Sequence, residues 1–196
     1  MITNKRQILR EYQELRCSEK GCQDLLNESE KQLSRDGHLI FPAKLQEANA
    51  KNGNGRIYPR KVLEREIEKY QQMIQENRAL GELEHSDSEI VNLNNCSHRV
   101  MRIWWNGNDV IGSIKVLNTP KGQILKELYN DGTKFGFSSR ALGSLQESQE
   151  GSVVQDDLDL VCFDAVSTPS APGAYVLRES IKKNKLNKLF ESILRG

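Results

Sequence analysis

The sequence predicts an α+β protein whose β strands form a mainly antiparallel sheet or barrel, accompanied by helices. Two observations carry this. Apolar, β-rich runs bounded by turn residues recur along the chain, and two stretches with helical spacing interrupt them. The resulting order is strand, helix, hairpin, helix, strand, strand, which suits an α+β domain.

The elements follow in chain order. Residues 1–36 are rich in Glu, Lys, Arg, Gln and Ser, with apolar positions at Ile8, Leu9, Tyr12, Leu15, Leu25, Leu26 and Leu33. This spacing predicts a charged helical N-terminal extension broken near Gly21. After Asp36-Gly37, the run HLIFPAKLQEANA predicts a strand, and KNGNGRIYP a loop whose Asn-Gly pairs favour positive φ. Pro59 opens a helix over 59–77, with Val62, Leu63, Ile67, Tyr70 and Ile74 on one face. RVMRIWWNGNDVIGSIKVL predicts a hairpin turning at Asn106-Gly107. Thr119-Pro120 and Gly132 are the start and stop signals of a second helix. FGFSSRALGSL and DLDLVCFDAV are strand candidates, separated by the polar loop LQESQEGSVVQDD, and TPSAPG then breaks the chain. Residues 179–196 space Ile181, Leu186, Leu189, Phe190, Ile193 and Leu194 on one face among lysines, a basic amphipathic C-terminal helix suited to docking on protein. The body between the two appendages is residues 37–178.

Bulk composition narrows the function. A chain of 196 residues supports one good core with appendages. A net charge of +1 gives no general pull towards nucleic acid, and a mean hydropathy of −0.64 leaves no run long enough to span a membrane. The first residues carry no secretory pattern, so a cytoplasmic location is expected. Cys17, Cys22, Cys96 and Cys162 are scattered, without the paired spacing of a zinc site, and are read as thiols with no metal.

Two adjacent serines pose the chemical question. If 134–140 is a strand, Phe135, Phe137 and Ser139 share one face while Gly136, Ser138 and Arg140 share the other. The phenylalanines mark the buried face, so Ser138 projects outward and is the better nucleophile candidate. The alternative is a strand that simply ends polar. A serine nucleophile needs a base. His38 reads as a turn residue, His98 sits before the hairpin, and His85 lies in the irregular segment GELEHSDS, where functional groups are commonly held. Asp164 falls in register with Leu158, Leu160, Cys162 and Val166, an expensive place for a carboxylate unless a donor such as a histidine pairs with it. A bulge or a capping role is the alternative.

The runs NGNGRIYPRKVLEREI, ALGELEHS, SHRVMRIWWNGNDVIGSIKVLNTPKGQIL, FGFSSRALGSL and FDAVSTPSAPGAYV, in this order and spacing, resemble the prohead core protein proteases of large tailed bacteriophages. The resemblance implies a herpesvirus-assemblin-like serine endopeptidase with a barrel-like core, made as a zymogen and using no cofactor. It implies a homo-oligomer in the procapsid core within the host cytoplasm, whose partners are scaffold and core proteins and the major capsid protein precursor. The family's histidine falls on His85, its serine on Ser138 and its acid on Asp164. His98 is the alternative third member, because assemblin uses a second histidine. The turn expected after Ser138, with the N–H groups of Ser139 and Arg140, is the proposed oxyanion site, unless Arg140 is a surface residue. Ser86 stands where the family often has proline. The family tends to cut after glutamate with Leu or Ile two positions earlier, a pattern matched at Leu9-Arg10-Glu11, Leu26-Asn27-Glu28 and Leu177-Arg178-Glu179, and also internally at Leu145-Gln146-Glu147. Self-processing at the edges follows as an expectation. A non-catalytic, scaffold-binding assembly protein on the same fold is the other reading.

Overall fold

A computed structural model of the chain describes residues 2–13 and 23–167. Among the described residues nine strands form two sheets, accompanied by three α-helices. In chain order they are β1 (Ile2–Gln13), α1 (Glu28–Arg35), β2 (Ile40–Glu47), β3 (Arg56–Ile57), α2 (Arg60–Gln75), β4 (Leu80–Glu82), β5 (Cys96–Asn106), β6 (Asp109–Val116), α3 (Pro120–Asp131), β7 (Gly136–Glu147), β8 (Ser152–Val154) and β9 (Asp159–Val166).

Local chemistry explains the helices. The Asn27 side chain accepts from the Glu30 N–H while Glu30 accepts from the Asn27 N–H, a reciprocal cap that starts α1. Pro59 precedes α2 with φ preset, and Val62, Leu63, Ile67 and Tyr70 are its buried stripe. Thr119 Oγ1 accepts from the Gly122 N–H at 3.0 Å to open α3, and Gly132 ends it in the left-handed region at φ 86°.

The four-stranded sheet runs β2-β6-β5-β4 and is antiparallel throughout. In the other sheet β7 is central: β1 pairs along one edge, β9 and then β8 along the other, and β8 carries β3 as a short parallel partner. Phe41, Leu45, Val100, Ile114, Phe137 and Phe163 bring both sheets into one core, which α2 closes through Ile67 and Tyr70. A second cluster gathers Leu9, Tyr58, Val62, Leu63, Ala141 and Leu158.

The antiparallel α+β character is as expected, but the described strands do not close into a barrel. The isolated bridge between Leu83 and Ala165 joins the end of β4 to β9, and no continuous ladder extends it. Two further expectations are corrected. Ile2–Gln13 is a strand, not a helix, because pairing along β7 satisfies its backbone groups; among its described side chains Leu9 is the fully buried one. Ser152–Val154, within the expected loop, is strand β8, held between β7 and β3. The expected C-terminal helix and the TPSAPG break lie outside the described residues, as do Cys17 and Cys22. Among the described residues no helix is long and apolar enough to cross a membrane.

Candidate active site

The site is assembled where β7, β9 and the segment after β4 meet. On β7, alternation places Ser138 and Ser139 on opposite faces. Ser139 turns to the core side, where its Oγ accepts from Gln46 Nε2 at 2.9 Å. Ser138 is directly opposite Asp164 of β9, and Arg140 is opposite Cys162. The ladder slips between Arg140 and Ala141, the bulge held as the alternative; it falls between Leu160 and Cys162, so Asp164 keeps the face of Cys162 and of Ser138 opposite it but, contrary to expectation, not that of Leu160.

Directly opposed side chains in a ladder stand with Cβ atoms roughly 5 Å apart, which brings the Ser138 hydroxyl and the Asp164 carboxylate within reach of one ring. His85 bridges them. Its Nδ1 lies 2.7 Å from Asp164 Oδ2 and its Nε2 lies 2.7 Å from Ser138 Oγ. The carboxylate can only accept, so Nδ1 carries the proton and Nε2 accepts from the serine hydroxyl. The chain reaches this position through Glu84, whose φ of 65° is in the left-handed region and whose N–H donates to the Ala165 carbonyl at 2.7 Å. A non-glycine residue there stores strain on the order of 1 kcal/mol, held by the surrounding bonds.

Behind His85 is a buried charged cluster. The side chains of Arg140, Glu82 and Asp164 have no exposed surface. Arg140 donates from Nε to Asp164 Oδ2 at 2.9 Å and from Nη2 to Glu82 Oε1 at 2.7 Å. Its Nη1 donates to Ser86 Oγ and, at 2.7 Å, to the Ser88 carbonyl, so one guanidinium holds both the acid and the segment following the histidine. Asp164 Oδ1 also accepts from the Glu82 N–H at 2.9 Å. Burial pushes the Asp164 carboxyl up, but the His85 and Glu82 hydrogen bonds and the Arg140 charge prevail and hold it below the ordinary carboxylate range. Burial works the other way on Arg140, where the surrounding acidic groups overcome it and raise the guanidinium further.

Each expected residue can now be placed. His85, Ser138 and Asp164 come together, with Ser139 turned away. The turn expected after Ser138 is absent, since β7 continues to Glu147 with partners on both edges, which directs the Ser139 and Arg140 N–H groups into ladders. Arg140 is neither at the surface nor free for an oxyanion; it supports the acid. Ser138 is also less open than an outward-facing serine, at 3% exposure. Glu82, Ser86 and Ser88 belong to the site and no sequence pattern signalled them. Among the described residues, no three His, Cys, Asp or Glu side chains are grouped to hold a metal ion.

His98 is not on His85. It is fully buried, edge-on to Phe137, with Nε2 donating to the Phe163 carbonyl at 2.9 Å and Nδ1 accepting from Ser97 Oγ at 2.8 Å. Gly81 lies against it: a Cβ there would stand 2.1 Å from the Phe163 carbonyl oxygen and 2.3 Å from His98 Nε2. Burial pushes His98 down to about 4, against the pull of Asp164 and the Phe163 carbonyl. An unfolded histidine titrates near 6.5, so the unfolded chain binds the extra proton and stability falls as pH drops from about 6.5 to about 4. At about pH 5 the loss from this group is about 2 kcal/mol relative to neutral pH. Urea midpoints should therefore fall between neutral pH and pH 5 in the wild type, and fall less in His98→Gln. An equal fall in both proteins would assign the pH dependence elsewhere.

The chain is similar to known proteins in sequence and in fold. Residues 20–185 match the family model of the prohead core protein serine protease. The chain is 34% identical over 160 residues to the prohead core protein protease of Enterobacteria phage T4, covering 79% of this chain and 76% of that one. In fold it is similar to the solved structure of the bacteriophage T4 capsid assembly protease, with a TM-score of 0.70 and 24% identity over 85% of this chain and all of that one. The chain belongs to the prohead core protein serine protease family.

Proposed function

We propose that the chain is the serine endopeptidase of phage procapsid maturation, with Ser138 as nucleophile, His85 as general base and acid, and Asp164 as the orienting carboxylate. The observation that carries this reading is the single imidazole joined at 2.7 Å to Ser138 Oγ on one nitrogen and to Asp164 Oδ2 on the other. As Ser138 Oγ attacks the scissile carbonyl, its proton passes to His85 Nε2, and the imidazolium is stabilised by Asp164. The same proton then goes to the departing amine. Water, deprotonated by His85, releases the acyl group and restores the serine. Asp164 suits this role because it stays ionised in a site where a buried carboxyl would otherwise protonate.

The substrates of this reading are the internal scaffold and core proteins and the capsid protein precursor. They are cut after glutamate with Leu or Ile two residues before it, inside the procapsid. Residues 37–178 are the protease body, the terminal regions are trimmed by the same activity, and the protein works as a homo-oligomer. Co-expression with an acidic scaffold protein tests it. Asp164→Asn is expected to reduce cleavage by about 10³- to 10⁴-fold, because the imidazole loses its tautomer and its counter-charge. His98→Gln should stay within about tenfold of wild type. The reverse ranking would move the third member to His98.

A further inference from the structure

Where β2 begins and β6 ends, at one end of the four-stranded sheet, there is a cavity of about 340 Å³ that shares no residue with the Ser138 site. Lys115 of β6 and Lys126 of α3 line it, together with His38 and Asn118. Both lysines are half-buried, and among the described residues neither ammonium has a hydrogen-bond or ion-pair partner. Asp36 is the acidic residue in the lining, and its Oδ1 is already taken by Gln32 Nε2 at 2.9 Å. Asn118 Oδ1 accepts from Gln123 Nε2 at 2.8 Å, which leaves the donor end of that amide without a partner among the described residues.

The β5–β6 ladder adds to the unbalanced positive charge. Arg99 is directly opposite Lys115, and its Nη1 donates to the neutral Asn77 Oδ1 at 2.9 Å. Like charges directly opposed on a sheet destabilise it. Lys44 on the same sheet shows the balanced case, held by both Glu47 and Asp109 at 2.6 and 2.7 Å. An anion supplied from outside would give Lys115 and Lys126 the charge-assisted bonds that Lys44 finds within the chain. The shape of the recess decides which anion. The cations converge on one cavity and do not form a stripe that could track a phosphate backbone, and the whole chain carries a net charge of only +1. The molecules that a protease family handles are polypeptides, whose anionic groups are single carboxylates on short stems.

We infer that the cavity between β2, β6 and α3 is a carboxylate-binding exosite, in which Lys115 and Lys126 hold acidic side chains of a polypeptide away from the bond to be cut. Its use in cleavage rests on the reading above; its binding does not.

Binding is measured in the full-length Ser138→Ala chain, so that cleavage plays no part. A labelled oligoglutamate peptide is titrated by fluorescence anisotropy into this chain, into one that also carries Lys115→Gln and Lys126→Gln, and into one that carries Lys51→Gln and Lys61→Gln instead, two exposed lysines elsewhere. The pocket substitutions should weaken binding at least about tenfold, as expected for two lost charge-assisted hydrogen bonds, and the control pair about twofold or less. Because they relieve the repulsion with Arg99, the pocket substitutions should leave the melting temperature equal or higher. Sodium phosphate and sodium chloride at equal ionic strength should displace the peptide alike; selective displacement by phosphate would mean a site for small inorganic anions and overturn the inference. Equal weakening by the pocket and control pairs, or a lowered melting temperature in the pocket variant, overturns it too. With Ser138 intact, the pocket substitutions should raise KM for a substrate that carries an acidic tract, leave kcat unchanged, and not affect a substrate without the tract. Oligoglutamate binding that persists while neither substrate is cut would keep the pocket and reject the hydrolase reading instead.

Discussion

Replacing Ser138 by alanine is expected to lower peptide cleavage by about four to six orders of magnitude, while Ser139→Ala stays within about tenfold of wild type. The contrast follows from where one residue of strand places each hydroxyl. Ser138 Oγ is 2.7 Å from His85 Nε2. Ser139 Oγ is on the opposite face, bonded to Gln46. Its partner there is an amide, which cannot act as a base, so Ser139 does not substitute for its neighbour. Ser139→Ala takes the acceptor from the buried Gln46 amide and should cost about 1–3 kcal/mol of stability, without reaching the catalytic face. Comparing cleavage rates at matched thermal stability is the check. Comparable losses in the two variants would mean that β7 does not separate the serines as described.

The largest effect on stability is expected at Arg140. Arg140→Met leaves Glu82 and Asp164, both with no exposed side-chain surface, facing each other without a counter-charge. Breaking a buried ion pair by removing one partner costs about 3–5 kcal/mol, a large part of the 5–15 kcal/mol that typically holds a domain together. Arg140→Lys keeps the charge but not the fork that reaches Asp164, Glu82, Ser86 and Ser88 together, so it should lie between wild type and Met. Adding Glu82→Gln to Arg140→Met should recover part of the loss, because it removes one of the stranded charges. The loss should also shrink in acid. The Asp164 carboxyl is held low when folded, so its stabilisation is present above the unfolded value near 3.9 and is lost as pH falls below it. Urea unfolding of the four proteins at neutral and acidic pH measures all of this. A Met variant as stable as wild type would show that the cluster is not paired as found.

How much of this was legible in the sequence depends on the range of the interaction. Alternation is local, so it separated Ser138 from Ser139 without any knowledge of the fold, and it flagged Asp164 through Cys162 and Val166, although the bulge takes Leu160 out of that register. The caps of α3 and the turn at Gly107 are local too, and were readable. The network behind His85 was not. Glu82 and Arg140 are 58 residues apart in the chain and meet only because β4 and β9 converge at the Leu83–Ala165 bridge. Arg140 therefore looked like a strand-end arginine near an oxyanion turn, although β7 runs straight on and buries it. Ile2–Gln13 was misread for a related reason. Its polar composition carries little periodic signal, and it is a strand because β7 offers it an edge.

A small fluorophosphonate forms a covalent bond only with an activated serine, and peptide mass spectrometry then locates the adduct. With Ser138 as the proposed nucleophile served by His85 and Asp164, the expected result is a single adduct on Ser138 that is abolished in His85→Ala and much slower in Asp164→Asn. An adduct on Ser139, or labelling of Ser138 that is unchanged without His85, would contradict it.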